Sequence, residues 1–326
     1  MIIYNLMYRS ILYGSFLTLL IVFATFYYIL KKTLSKEIFG VLLLIDKRYL
    51  LFSLLCMFFY HTFDNLRLFI LSRAMGIKYS FTYGYVISFI NTFGATITPA
   101  HVGGEFMSLY TVSRKGGQFH KVMSVVTMKT ITGLAFFVVF LPFTLYSLLN
   151  NLSQAMELVK LLVIVFLLAG ISYGVFRFFL KRNSQKGLGV KIRNTLKRYL
   201  VSMKIFLRDK KLSLVLATLS SVLLYLSFLG VGVFLVKAFN SEVDALRIFL
   251  DQLFLVYALF ISPTPGGSGV GELGALSVFA PFIDSMLLGV FSILWRFISQ
   301  YLSALIGGIL FLILLVIDAK RFKTHA

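Results

Sequence analysis

Apolar runs of about 20 residues alternate with short polar connections along almost the whole chain, and this pattern predicts helices long enough to cross a bilayer. A first span covers roughly 12–30 and ends in Lys31-Lys32. An amphipathic piece at about 34–46 follows, suited to the membrane interface, and leads to Lys47-Arg48. Further spans are predicted at about 49–72, 122–146, 158–180, 213–237 and 286–317. Two other apolar segments, about 81–98 and 246–262, run into Pro/Gly breaks and are followed by short helices at about 104–113 and 270–282. Residues 181–211 differ again: Leu188, Ile192, Leu196, Tyr199, Met203 and Phe206 recur at helical spacing, with Lys191, Arg193, Lys197, Arg198 and Lys204 mainly between them. That is a basic amphipathic helix, about 188–207, expected to meet anionic lipid headgroups at a membrane surface; a partner-binding helix is the other reading.

Composition supports the membrane class. Of 326 residues, 59% are hydrophobic and 13% charged, with mean hydropathy +0.91, whereas soluble domains carry about a quarter charged residues. The fold class is an all-α polytopic membrane protein of about six to eight membrane segments; a transmembrane barrel would show short alternating segments instead. No small-residue cleavage site follows the first apolar run, so it is read as a retained helix. Cys56 is the only cysteine, which leaves no intrachain disulfide and no cysteine-based metal site, and nothing calls for a cofactor. The net charge of +20 sits mostly in the connections, where it sets orientation and meets headgroups; nucleic acid is not expected as a partner. Homo-oligomerisation is left open.

The breaks are one short sequence written twice. Thr98-Pro99-Ala100-His101-Val102-Gly103-Gly104-Glu105 is the first copy, and Thr264-Pro265-Gly266-Gly267-Ser268-Gly269-Val270-Gly271-Glu272 the second. They divide the chain into half-repeats of about 1–150 and 151–326 within one membrane domain. Interrupted helices in matching positions of two halves point to a transport site near the midplane. The basic stretch 181–211 and the tail Lys320-Arg321-Lys323 both belong inside, which makes the second break a hairpin entering from outside, beside Glu242 and Asp244. The first break is then a hairpin entering from inside, as an inverted repeat requires. The five basic residues at 31–48 argue for the other arrangement, a first hairpin that crosses.

Each break frees backbone polar groups that only protein or a wet cavity satisfies. The short helices present N-terminal N–H groups suited to phosphate or carboxylate. Pro99 and Pro265 break the helices, and Gly103, Gly104, Gly266, Gly267 and Gly269 allow a ligand to approach the backbone. Glu105 and Glu272 either cap those helices or bind an ammonium group or a coupling proton in a cavity. Arg296 is a snorkelling residue, a phosphate clamp or the partner of Glu272. Arg67, Tyr110 and Lys129 have weaker claims, and Lys129, two turns into its helix, has snorkelling as its simple reading. Around Arg67, the cluster His61, Asp64 and Asn65 is either an interfacial helix end with Asp64 and Arg67 paired, or the polar face of an internal cavity.

The two motifs carry a resemblance. The chain is similar to the transmembrane region of lysylphosphatidylglycerol synthases, a flippase-like family, with a Gly-Gly-Glu motif after the third segment and a Pro-x-Pro-Gly-Gly-x-Gly-x-x-Glu motif in the second half. Here these read Thr98 to Glu105, continuing to Tyr110, and Ser262 to Glu272; the family's arginine in the last helix matches Arg296, followed by Tyr301. One departure is Met123 to Gly133, which holds Lys129 and no acid where family members carry an Arg/Asp pattern. No aminoacyl-transferase domain is expected, because the sequence stops at Ala326. The resemblance implies a translocator of an anionic or zwitterionic phospholipid, or of a polyprenyl-phosphate-linked lipid, in the cytoplasmic membrane, and not an enzyme. Two alternatives stand beside it: a non-transporting membrane protein that binds a lipid or partner, and, from Gly266-Gly267-Ser268-Gly269, a rhomboid-like serine protease, for which the sequence offers Ser268 no later histidine but His325.

Overall fold

The structure, a computed structural model, describes Tyr27 and residues 45–98, 100–149 and 186–324. The spans expected at 12–30 and 158–180, most of the 34–46 piece, and Pro99 lie outside the described residues. The described chain is helical: α1 (Lys47–Ala74), α2 (Phe81–Thr96), α3 (Val102–Ser113), α4 (Phe119–Leu149), α5 (Lys186–Asp209), α6 (Lys211–Phe239), α7 (Ala245–Ile261), α8 (Val270–Phe279), α9 (Leu288–Arg296) and α10 (Leu302–Thr324). Among the described residues, four stretches are long and apolar enough to cross a membrane: Lys47–Ala74, Phe119–Tyr146, Lys211–Phe239 and Leu288–Asp318. The protein is an all-α, multi-pass membrane protein.

Helix starts are marked by short polar side chains that accept the otherwise unpaired first-turn amides. Asp46 accepts from Arg48 N, Ser80 from Tyr83 N and Asp244 from Leu246 N. The backbone N–H of Asp46 also donates to the Ala238 carbonyl, which ties the start of α1 to the end of α6. These two helices form the most extensive pair among the described residues. Their shared core extends onto α7, α8 and α9 through Met57, Val231, Leu235, Leu255, Phe279 and Trp295. A second core joins α1, α2 and α4 through Leu68, Leu71, Ile87, Val122 and Val125. Where hydrocarbon surrounds the bundle, burial of apolar surface drives helix pairing little, and close van der Waals approach takes over. The crossing of α2 and α10 shows this: a Cβ on Gly307 would collide with the Phe89 carbonyl.

Three features differ from the sequence-based expectation. The last long helix is interrupted between α9 and α10 by a π-helical segment, Phe297–Tyr301, which hydropathy does not reveal because the apolar period continues through it. The basic helix α5 is docked on protein: the Tyr199 hydroxyl donates to Thr127 Oγ1 of α4, and Phe206 is fully buried, while Leu200, Val201 and Leu207 stay exposed. Lys129 does not snorkel; it is 1% exposed, in the interior of the bundle.

Candidate functional site

The two breaks share a pair of left-handed residues, and the second adds Ser268 and a third positive-φ residue, Gly269, before its helix. Ala100 and His101 have φ of 50° and 59°, and Gly266 and Gly267, at the matching positions, have φ of 57° and 68°. Two successive left-handed residues turn each chain from a long helix into a short one. Glycine adopts this conformation freely, whereas an L-residue loses roughly 1–2 kcal/mol at each such position. The second copy therefore uses Gly-Gly, and the first holds Ala100 and His101 against strain.

The breaks also touch. Gly266 N–H donates to the Thr98 carbonyl at 3.4 Å, and Gln300 Nε2 donates both to Thr96 Oγ1 and to the Gly266 carbonyl, each at 3.0 Å. Gln300 lies in the π-helical segment, so this widened turn is the piece that bridges both breaks. A Cβ on Gly266 would stand 2.8 Å from the Thr96 carbonyl oxygen, and one on Gly103 would stand 2.5 Å from the Gly94 carbonyl oxygen. The close approach these glycines permit is thus of protein to protein, where the sequence suggested ligand to backbone. At each helix start one backbone N–H is likewise taken by protein: Thr98 Oγ1 accepts from Gly103 N at 2.7 Å, and Glu272 Oε2 accepts from Gly269 N at 2.6 Å.

Glu272 and Arg296 form a closed pair. Both are 0% exposed. Arg296 Nε donates to Glu272 Oε1 at 3.2 Å, its Nη2 donates to the Gly266 carbonyl at 3.0 Å, and the Tyr301 hydroxyl donates to Glu272 Oε1. The capping and partner readings of these residues describe what is seen. Pro265, Gly266, Gly267, Gly269, Glu272 and Arg296 are absent from the cavity lining and form a lock beside it.

A cavity of about 200 Å³ lies against the first break. Its polar side is formed by Arg67 from α1, Asn91, Thr92 and Thr96 from α2, His101 and Glu105 at the break, Lys129 from α4, and Ser299 and Gln300 from the π-helical segment. Its apolar side is formed by Phe137 from α4, Phe228 from α6, and Val256, Leu259 and Phe260 from α7, with Tyr60 and Tyr225 between. Behind the polar side sits Asp64, which accepts from Arg67 at 2.7 and 3.0 Å and from Ser88 Oγ at 2.6 Å, with Lys129 Nζ 3.9 Å away. Ser88 is also within 2.9 Å of His61 Nδ1, whose Nε2 meets Ser303 at 2.8 Å. One acid thus holds two cations in place beside the cavity that Glu105 also lines. Glu105 Oε2 and His101 Nδ1 are buried there without a hydrogen-bond partner, which is costly unless something else satisfies them.

Of the sequence-predicted residues, Arg67 and Glu105 line the cavity together, with Lys129. Gly103 and Gly104 pack α3 onto α2 instead. Tyr110 is elsewhere: it donates to Asp318 of α10, which also pairs with Arg114 at 2.5 Å. His101, Gln300 and the aromatic wall were missed as site residues, whereas Asp64 belongs to the cluster for which the sequence left an internal cavity as one of two readings. The available signal for His101 was its place in the repeat, where the other copy carries glycine. Ser268 is buried and has no hydrogen bond to a histidine among the described residues.

The sequence profile described as the lysylphosphatidylglycerol synthase TM region matches residues 12–307. A relative named UPF0104 membrane protein, from Archaeoglobus fulgidus, is 23% identical over 262 residues, which is 75% of this chain and 80% of that protein.

Proposed function

The chain belongs to the lysylphosphatidylglycerol synthase transmembrane-region family, and from that membership we propose that it carries a phosphate-bearing lipid headgroup across the cytoplasmic membrane. The observation that carries the reading is the cavity, which the buried Arg67 and Lys129 line with Glu105 Oε2 unsatisfied beside them. Charges inside a membrane chain belong where a polar substrate passes. The two cations suit a phosphate, while Glu105 accepts a hydrogen bond from an ammonium or hydroxyl group of the same headgroup. An anionic or zwitterionic phospholipid, or a polyprenyl-phosphate-linked lipid, carries this chemistry. The protein acts as a carrier and makes or breaks no covalent bond.

The hairpins α2–α3 and α7–α8 serve this role as re-entrant elements. At 1.5 Å per residue, the 16 residues of α2 and the 17 of α7 reach about 24–26 Å, short of a hydrocarbon core of about 30 Å. Entering from opposite faces as halves of an inverted repeat, they meet at their breaks. The Gln300 bridge and the Glu272–Arg296 lock hold that meeting point, and the cavity beside it takes the headgroup. Exposed Leu200, Val201 and Leu207 with Lys197 and Arg198 give α5 a lipid-facing edge at an anionic surface.

Reconstitution into proteoliposomes with fluorescent acyl-labelled phosphatidylglycerol or phosphatidylethanolamine tests the carrier. The wild type is expected to expose inner-leaflet label to an impermeant reductant, and Lys129→Met and Glu105→Gln to lose at least 90% of that activity while remaining folded. Wild-type activity in both variants rejects the site. Lipid binding without translocation in the wild type replaces the carrier with a non-transporting lipid-binding protein.

A further inference from the structure

The cavity is polar on one side only, and its apolar wall leads outward. Phe260 is the one lining residue that is exposed, at 43%, so the same ring borders the cavity and the outer face of the bundle. It packs against Phe137 with ring centroids 4.4 Å apart, and Phe137 meets Tyr257 edge-on at 5.0 Å. Here α4 and α7 are held by rings and by the Tyr257 hydroxyl, which donates to the Phe137 carbonyl and also bonds Thr144. No ion pair joins the two helices among the described residues. Further along α4, Pro142 removes the amide that would have bonded to the Val138 carbonyl, which weakens the helix just beyond Phe137. Val138 itself is 71% exposed, while Phe136, on the other side of Phe137, is 0% exposed.

We infer that the seam between α4 and α7, lined by Phe137, Tyr257 and Phe260, is a side portal that holds the hydrocarbon chain of a lipid whose headgroup sits on Arg67 and Lys129. This rests on the carrier reading of the cavity and adds where the chain goes. A headgroup in the cavity drags its chain with it, and a cavity of about 200 Å³ has no room for an acyl or isoprenoid chain. The chain must lie outside the cavity, and a side lined by aromatic rings opens onto hydrocarbon without exposing any backbone polar group. Rings swing about side-chain torsions, so the seam parts and recloses with no charge to separate. The polar wall is a poor exit by the same argument, since parting it would break the Asp64 cluster and the Gln300 bridge.

Tryptophan quenching by lipids with brominated acyl chains tests the portal. The single native Trp295, 1% exposed, is replaced by Phe in every variant. Three successive positions are then compared in phosphatidylglycerol proteoliposomes: Phe136→Trp, Phe137→Trp and Val138→Trp. Position 138 faces lipid and sets the maximum; position 136 sets the minimum. The portal predicts that quenching at 137 is at least twice that at 136 and falls toward it when Lys129→Met removes the headgroup anchor. Quenching at 137 equal to that at 136 overturns the portal. Should Phe137→Trp not fold, Tyr257→Trp in the same seam reads it with the same two outcomes. Translocation that depends on Lys129, with no quenching at 137, removes the portal and leaves the carrier. Quenching at 137 in a protein that translocates nothing supports the portal and removes the carrier.

Discussion

Replacing Asp64 by Asn is predicted to be the most damaging single change in the charge cluster, far worse than removing Lys129. Among the described residues, Asp64 is the one anion paired with these two buried cations. It accepts two hydrogen bonds from Arg67 and one from Ser88, and Lys129 Nζ lies 3.9 Å away. Asp64→Asn removes the anion that both buried cations pair with, and breaking a buried pair in this way costs about 3–5 kcal/mol. Lys129→Met differs because the Arg67–Asp64 pair survives intact. At 3.9 Å and an effective dielectric constant of about 20, the lost attraction is about 4 kcal/mol, and the relieved burial of an ammonium group offsets several kcal/mol. The net change is expected to stay within about 1 kcal/mol. In the double variant the Lys129→Met change leaves Arg67 as the sole orphan, so the double loses less than the two single losses added. Thermal unfolding in detergent, followed by a thiol-reactive fluorophore, measures all three through Cys56, the only cysteine. At roughly 2–4 °C per kcal/mol, Tm should fall by about 6–20 °C for Asp64→Asn and by no more than about 4 °C for Lys129→Met. Equal losses for the two single variants would show that Asp64 does not organise the cluster.

Four further outcomes follow from the same contacts. Gly103→Ala should lower Tm strongly, since overpacking against the Gly94 backbone costs about 1–3 kcal/mol and a displaced Thr98 cap about 1 more; Gly116→Ala, with φ +84 and nothing nearby, should lose about 1 kcal/mol by the same unfolding assay. Ala100→Gly should raise stability by up to about 1 kcal/mol, because relief of left-handed strain exceeds the added chain entropy, whereas destabilisation would mean that the strain is absent. Gln300→Ala removes the side-chain bridge between the two breaks, leaving only the Gly266–Thr98 backbone contact, and should slow translocation in proteoliposomes at least tenfold while protein yield in the membrane stays near normal. Ser268→Ala should leave translocation unchanged, and loss of activity there would revive a nucleophilic role for that serine.

Much of the fold was legible because a bilayer leaves few options. Once backbone groups must bond internally, apolar runs of about 20 residues become helices, as Lys211–Phe239 and Phe119–Leu149 did within two or three residues of expectation. The breaks were legible for the same reason: Pro and clustered Gly cannot continue a helix. The π-helical segment was not, since Phe297–Tyr301 keeps the apolar pattern and only contacts with Glu272 and Gly266 give its extra turn width a purpose. Lys129 read as snorkelling because its partner Asp64 is 65 positions earlier in the chain, and charge pairing at that distance leaves no local trace.

The sequence by itself determined the class, the helices, the two breaks and their kinship, all of them consequences of local chemistry and of the membrane as solvent. It could not rank the two glutamates. Glu272 and Glu105 occupy matching places in matching motifs, and both motifs allow a cap or a binding group. Only the packing of α9 and the π-helical segment decided that Glu272 is enclosed by Arg296, Tyr301 and its own helix start. Only the meeting of α1, α3 and α4 put Glu105 into a space with Arg67 and Lys129. Equivalent residues acquired different roles because each role depends on which charges the rest of the chain brings beside it, and those come from distant segments.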